Sequence, residues 1–222
     1  MKKNKLLIAL AITAFTGGAF AADDEIKYSV AVKSWNNTFN VANRTTNINT
    51  QGNNSPIVTL TAVKGDYFVS ANYMLESSYR YRTVWLSRKD YDYSVGYRYT
   101  NNLSFIGGQS VQKFKDGSQT NWVETATSYF LGVSGFEMLT DKIFVTGNYK
   151  HIPSFKVSTT GTDYYRDMKG FSSEIGLGYV LNNTTQLTAG YRYQQSKLYN
   201  ITQSRNETNT MRGLLAGVNV NF

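Results

Sequence analysis

The chain has 222 residues, 41% hydrophobic and 14% aromatic, with 17 tyrosines, two prolines and no cysteine, and a formal charge of +8. The lack of cysteine excludes disulfides and thiolate metal sites. Tyrosine abundance without a compact Lys/Arg run argues against nucleic-acid binding.

Residues 1–21 read as a secretory signal. Met1 to Lys5 form a cationic start, Leu6 to Phe15 an apolar stretch too short to span a bilayer, and Ala19-Phe20-Ala21 a small-x-small cleavage site. Its removal leaves a mature chain beginning near Ala22 with a charge of +5. No later apolar run approaches the roughly 20 residues of a membrane helix, so the spanning architecture left open is a closed β-barrel. A soluble β-sandwich is the competing architecture.

The mature chain alternates apolar and polar residues with period two. Strand one carries Ile26, Tyr28, Val30 and Val32 on one face, and a polar stretch follows from Trp35 to Ser55. Strand two, Ile57 to Val63, is apolar or Thr on both faces, and Pro56 suits only a strand end. A turn at Lys64-Gly65-Asp66 leads to Tyr67, Val69, Ala71, Tyr73 and Leu75. The pattern recurs at Tyr91 to Tyr99, Leu103 to Gln109, Val123 to Val133, Ile143 to Tyr149, Phe171 to Tyr179, Thr185 to Tyr191 and Leu214 to Phe222. Turn formers stand at Thr100-Asn101-Asn102, Leu139-Thr140-Asp141 and Leu181-Asn182-Asn183-Thr184. The small residues Ala71, Gly107, Gly147 and Ala189 fall 36, 40 and 42 positions apart, the period of two strands with one long and one short connection.

Four short turns, five long polar stretches and both termini on the turn side require ten strands. A hairpin hidden between Asn36 and Asn54 would make twelve. The fold class is therefore all-β: residues 22–222 form a single closed antiparallel transmembrane β-barrel with short periplasmic turns and long extracellular loops. The last strand would pair with the first and close the ring, with Leu214, Ala216, Val218, Val220 and Phe222 toward lipid and Asn219 and Asn221 toward the lumen.

The signal ending Ala19-Phe20-Ala21, Tyr-rich strands such as "YDYSVGYRYT" and the terminal "AGVNVNF" resemble bacterial outer-membrane β-barrel proteins of the small porin-like superfamily. The resemblance implies a Gram-negative outer-membrane location. It also implies that Phe222 is the assembly signal read by the barrel-assembly machinery. It brings no active site with it.

Alternation points Lys27, Lys33, Glu76, Asp92, Arg98, Glu124, Lys150, Glu174 and Arg192 into the lumen. A turn centred on Asn183 sets Glu174 opposite Arg192, Gly176 opposite Gly190 and Gly178 opposite Thr188. Such charges either fill a narrow barrel or form a charge-selective constriction. Interior glycines, Gly96, Gly108, Gly132, Gly176, Gly178 and Gly190, would leave room for the second. At the outer end, Arg80, Arg82, Arg88, Lys89, Lys113 and Lys115 stand among Tyr79, Tyr81, Trp85 and Tyr91, a composition suited to lipopolysaccharide phosphates.

His151 is the single histidine, and no nucleophile is designated beside it. No enzyme activity, metal or cofactor is expected. The reading is a monomeric, porin-like, non-enzymatic protein passing at most small solutes, with outer-membrane lipids and lipopolysaccharide as partners. The alternatives are a surface binding or adhesion scaffold that uses its loops and, less favoured, an outer-membrane hydrolase or acyltransferase using His151.

Overall fold

A computed structural model describes residues 25–42, 47–81, 84–116, 124–159, 165–200 and 205–222. The expected signal segment 1–21 and Arg82 lie outside the described residues. Eleven strands are present: β1 (Lys27–Ala42), β2 (Asn47–Asn49), β3 (Asn53–Lys64), β4 (Tyr67–Tyr81), β5 (Val84–Arg98), β6 (Leu103–Asp116), β7 (Glu124–Met138), β8 (Ile143–Thr159), β9 (Tyr165–Asn182), β10 (Thr185–Asn200) and β11 (Arg205–Asn221). Each pairs antiparallel with its sequence neighbours, except that β3 skips β2 to pair with β1. β11 also pairs with β1, from Asn221 opposite Ser29 to Thr208 opposite Ala42, which closes the ring. The wall thus has ten strands, β1 and β3 to β11. The three-residue β2 touches only the outer end of β1, at Asn40 to Ala42, so the stretch from Asn36 to Asn54 adds no further hairpin to the wall.

The four short turns fall where turn chemistry places them. Gly65 adopts φ 57°, a left-handed conformation that suits glycine, between β3 and β4. Thr100 Oγ1 accepts from the amide of Leu103, and Thr140 Oγ1 from that of Ile143, closing the turns before β6 and β8.

The polar stretches expected as long loops are in large part paired strand. β4 and β5 remain paired, across one bulge, to Tyr81 opposite Val84, and β10 and β11 stay in register to Asn200 opposite Arg205. Threonine favours the extended chain, and cross-strand amide bonds such as Asn36 Nδ2 to Asn54 Oδ1, at 3.0 Å, hold these polar extensions as sheet.

Outward positions carry the exposed apolar and aromatic side chains, among them Tyr93, Val95, Leu131, Ile175, Leu177, Leu214 and Val218. Phe222 belongs to this set, 36% exposed. Aromatic pairs mark two bands on this face. Tyr67 with Tyr97 (5.2 Å between centroids) and Tyr99 with Phe105 (5.6 Å) lie near the short turns. Tyr73 with Tyr91 (4.8 Å) and the row Tyr149, Phe171, Tyr193 lie farther up. An apolar band between two aromatic girdles is the outer surface that a bilayer requires.

Candidate functional site: a filled lumen

The inward faces of the ten strands meet at three levels. Aromatic rings lie over glycines directly opposite on the neighbouring strand: Phe68 over Gly96 and Phe144 over Gly178 nearest the short turns, and Phe130 over Gly108 farther up, beside Lys150. A Cβ added at Gly108 would come 2.9 Å from the Phe130 ring, and one at Gly132 would come 3.1 Å from Ile106. The Phe68 and Phe144 rings fill the space beside Gly96 and Gly178, while at Gly108 and Gly132 the backbone carbonyls of Tyr93 and Tyr149 stand nearer still, so none of the four leaves the open space expected of it. Phe136 and Phe144 meet edge to face at 6.0 Å, and both are buried.

Midway along the lumen the charges gather. Lys33 Nζ lies 2.6 Å from Glu174 Oε1, and Lys150 Nζ lies 2.8 Å from Asp92 Oδ2. Lys150 also sits 4.7 Å over the Phe130 ring, and the Arg192 guanidinium lies 4.9 Å over Trp35. Buried ions need this degree of pairing, because desolvation otherwise exceeds their attraction.

The outer level is an apolar cluster of Trp35, Phe39, Ile57, Met74, Tyr79, Met211 and Leu215, with Leu86 and Phe114 packed against it. Tyr79 donates to Asn37 Oδ1 at 2.9 Å, while Asn37 Nδ2 donates to Ser55 Oγ at 2.8 Å. Thr50 pins Phe39 here, accepting from its amide at 3.0 Å and donating to its carbonyl at 2.8 Å. Arg88, 2% exposed, forms a two-pronged pair with Asp90, Nε to Oδ1 at 2.8 Å and Nη2 to Oδ2 at 2.6 Å. Its guanidinium stacks 5.1 Å from the Phe114 ring.

Of the nine charges placed in the lumen by alternation, Lys33, Asp92, Arg98, Lys150, Glu174 and Arg192 lie on the inward face with the contacts just described or, for Arg98, with Asp66. Arg98 lies near the short-turn mouth, 3.9 Å from Asp66. Lys27, opposite buried Val63, and Glu124, opposite Phe114, occupy inward register positions at the two ends. Glu76 departs from the expectation. A bulge between Met74 and Ser77 inserts an extra residue, which turns Ser77 and Tyr79 inward and Glu76 out to Lys115, at 2.8 Å. The opposite pairing of Glu174 with Arg192 stands in the register, but the short contact of Glu174 goes to Lys33.

Of the outer-rim cations, Arg88 is the second departure: it lies on the inward face and is buried with Asp90, away from any lipid headgroup. Arg80, Lys89, Lys113 and Lys115 are on the outer face of β4, β5 and β6. Lys89 and Lys113 stand directly opposite each other, each 5.9 Å from the Tyr91 ring, and Arg80 lies 5.9 Å over Trp85. His151 is exposed on the outer wall between Leu131 and Phe171. Among the described residues no group of three His, Asp or Glu side chains could hold a metal ion.

No family model and no curated protein matches the chain. Solved structures do. OmpT, an outer membrane protease from Escherichia coli, superposes with a TM-score of 0.61 at 9% identity, over 93% of this chain and 100% of that one. The translocator domain of the autotransporter NalP from Neisseria meningitidis gives 0.47 at 10% identity, over 88% of each chain. The toluene transporter TodX from Pseudomonas putida gives 0.43 at 10% identity, over 90% of this chain and 91% of that one. What this chain shares with OmpT at 9% identity is architecture, not an activity. The chain has the closed, ten-stranded antiparallel fold of the outer-membrane β-barrels.

Proposed function

We propose that the protein is a non-enzymatic outer-membrane barrel with a closed lumen, acting as a scaffold that presents its extracellular strand extensions to surface ligands. The supporting observation is the packing of the outer part of the lumen, where Trp35, Tyr79, Gln112, Ala126 and Met211 are each 0% exposed. An interior of about eight strands is just wide enough for side chains to fill, and ten strands widen it by only about a quarter. Export by the 1–21 signal and assembly through Phe222 belong to the same reading. The position of His151 on the lipid-facing wall, apart from the enclosed charges, favours a role without catalysis.

A porin-like role with passage of small solutes is the second reading. It is favoured by the Lys33–Glu174 pair, which keeps 26% and 23% of its side-chain surface exposed in mid-lumen. Liposome swelling with small sugars separates the two. The scaffold reading expects the rate of protein-free liposomes, whereas size-dependent swelling would support the pore.

Lipopolysaccharide is the proposed partner of Arg80, Lys89, Lys113 and Lys115. Lys89 and Lys113 stand directly opposite each other on adjacent strands, so one anionic phosphate could be held by both. Lipopolysaccharide bound by the folded barrel should fall by roughly fivefold in a Lys89→Gln/Lys113→Gln variant, and equal binding would remove the assignment.

A further inference from the structure

The outer wall is not evenly convex. Across β1, β3, β4, β5 and β6 lies an apolar groove of about 600 Å³. Its floor is made by the small outward residues Ala62, Ala71 and Gly107, and its sides by Tyr28, Leu60, Tyr93 and Phe222. The groove belongs to the apolar band between the two aromatic girdles.

The two ends of the groove differ. One residue pair above Ala71 and Tyr93, Tyr73 and Tyr91 stack at 4.8 Å with planes only 12° apart, and they form a sill on the extracellular side. Toward the short turns the groove continues into a second hollow of about 300 Å³, which shares Ala62, Val69 and Val95 and reaches Ile26, Tyr67 and the exposed Lys64. Four residues of β5, from Tyr93 to the girdle at Tyr97, span about 13 Å along the strand, or about 10 Å of depth at the usual barrel tilt, within the roughly 15 Å hydrocarbon depth of one leaflet.

We infer that this groove seats one acyl chain of a periplasmic-leaflet glycerophospholipid whose phosphate meets Lys64. The inference rests on the barrel spanning the outer membrane with its short turns in the periplasm. An apolar hollow in a lipid-facing wall has to be filled with apolar matter, and the open end of this one is marked by a cation at headgroup level. A chain descending from the extracellular leaflet would have to cross the Tyr73–Tyr91 sill.

The test is native mass spectrometry of the full chain, folded in detergent micelles and exposed to palmitoyl-oleoyl phosphatidylglycerol, with lipid A as a parallel probe. The wild-type barrel should retain one phosphatidylglycerol. Ala71→Phe, which fills the floor, should lower retention about tenfold, and Lys64→Gln about threefold. Lys89→Gln/Lys113→Gln should leave it unchanged.

No retention by wild type, or equal retention by Ala71→Phe, would overturn the assignment. So would retention of lipid A that Ala71→Phe abolishes and Lys64→Gln keeps, because that places an outer-leaflet lipid in the groove. If Ala71→Phe does not reach the heat-modifiable folded form, Gly107→Leu replaces it; its Cβ would meet Leu131 at an ordinary 3.4 Å. Failure of the membrane reading itself would show separately, as a wild-type chain that does not fold into micelles or bilayers.

Discussion

Toward the short turns the lumen is packed by phenylalanines lying over glycines, whereas midway it is crossed by the ion pairs of Lys33 with Glu174 and Lys150 with Asp92. The first device works by shape between adjacent strands. Phe68 and Gly96, Phe130 and Gly108, and Phe144 and Gly178 are direct cross-strand partners, so each ring lies over a residue that has no side chain. The second works by charge over distance. Lys33 on β1 reaches Glu174 on β9, past β11 and β10, and Lys150 on β8 reaches Asp92 on β5, past β7 and β6. Shape filling can be made by neighbours alone, while neutralising an enclosed charge requires whichever opposite charge faces it across the ring.

The largest effect should come from the ionic device at its driest point. Asp90→Ala leaves Arg88 buried beneath Phe39 and Phe114 with its carboxylate removed, and should cost about 3–5 kcal/mol, read as a lower urea midpoint of the folded barrel. Phe144→Ala should cost about 3–4 kcal/mol by opening a cavity over Gly178.

A double-mutant cycle tests whether ring and glycine act as a unit. Gly178→Ala alone should cost about 1–3 kcal/mol, because its Cβ enters the Phe144 ring, but much less in the Phe144→Ala background. Additive costs would show that the ring and the glycine are independent. Glu174→Gln should cost about 2 kcal/mol, less than Asp90→Ala, since the pair with Lys33 is partly wet. Glu76→Gln, on the exposed outer face with Lys115, should move the midpoint by no more than about 0.5 kcal/mol.

The same contrast explains what could be read from the residues alone. Period-two alternation and turn chemistry specify strand count, the four short turns and the register of β9 with β10, because these are local or nearest-neighbour properties; closure of β11 on β1 follows instead from the need of two terminal strands for a partner. Glu76 and Arg88 escaped the same logic for related reasons. The bulge at Leu75 and Glu76 reverses the facing of the rest of β4, and no turn residue marks it. Arg88 has the inward parity of Asp92 on β5, but its cationic setting resembles that of its outward neighbour Lys89. The Lys33–Glu174 pair joins residues 141 positions apart and could not be found by any neighbour rule. The glycines opposite phenylalanine were legible as pairs only once the register was known; read singly, they suggested open space.

The most direct test of the closed lumen is single-channel recording in planar bilayers, comparing wild type with a Trp35→Ala/Phe144→Ala variant that removes a ring from the outer and the inner level. The closed barrel predicts no discrete conductance steps from the wild type and their appearance in the variant. Stable steps from the wild-type protein, carried by small ions at neutral pH, would contradict it.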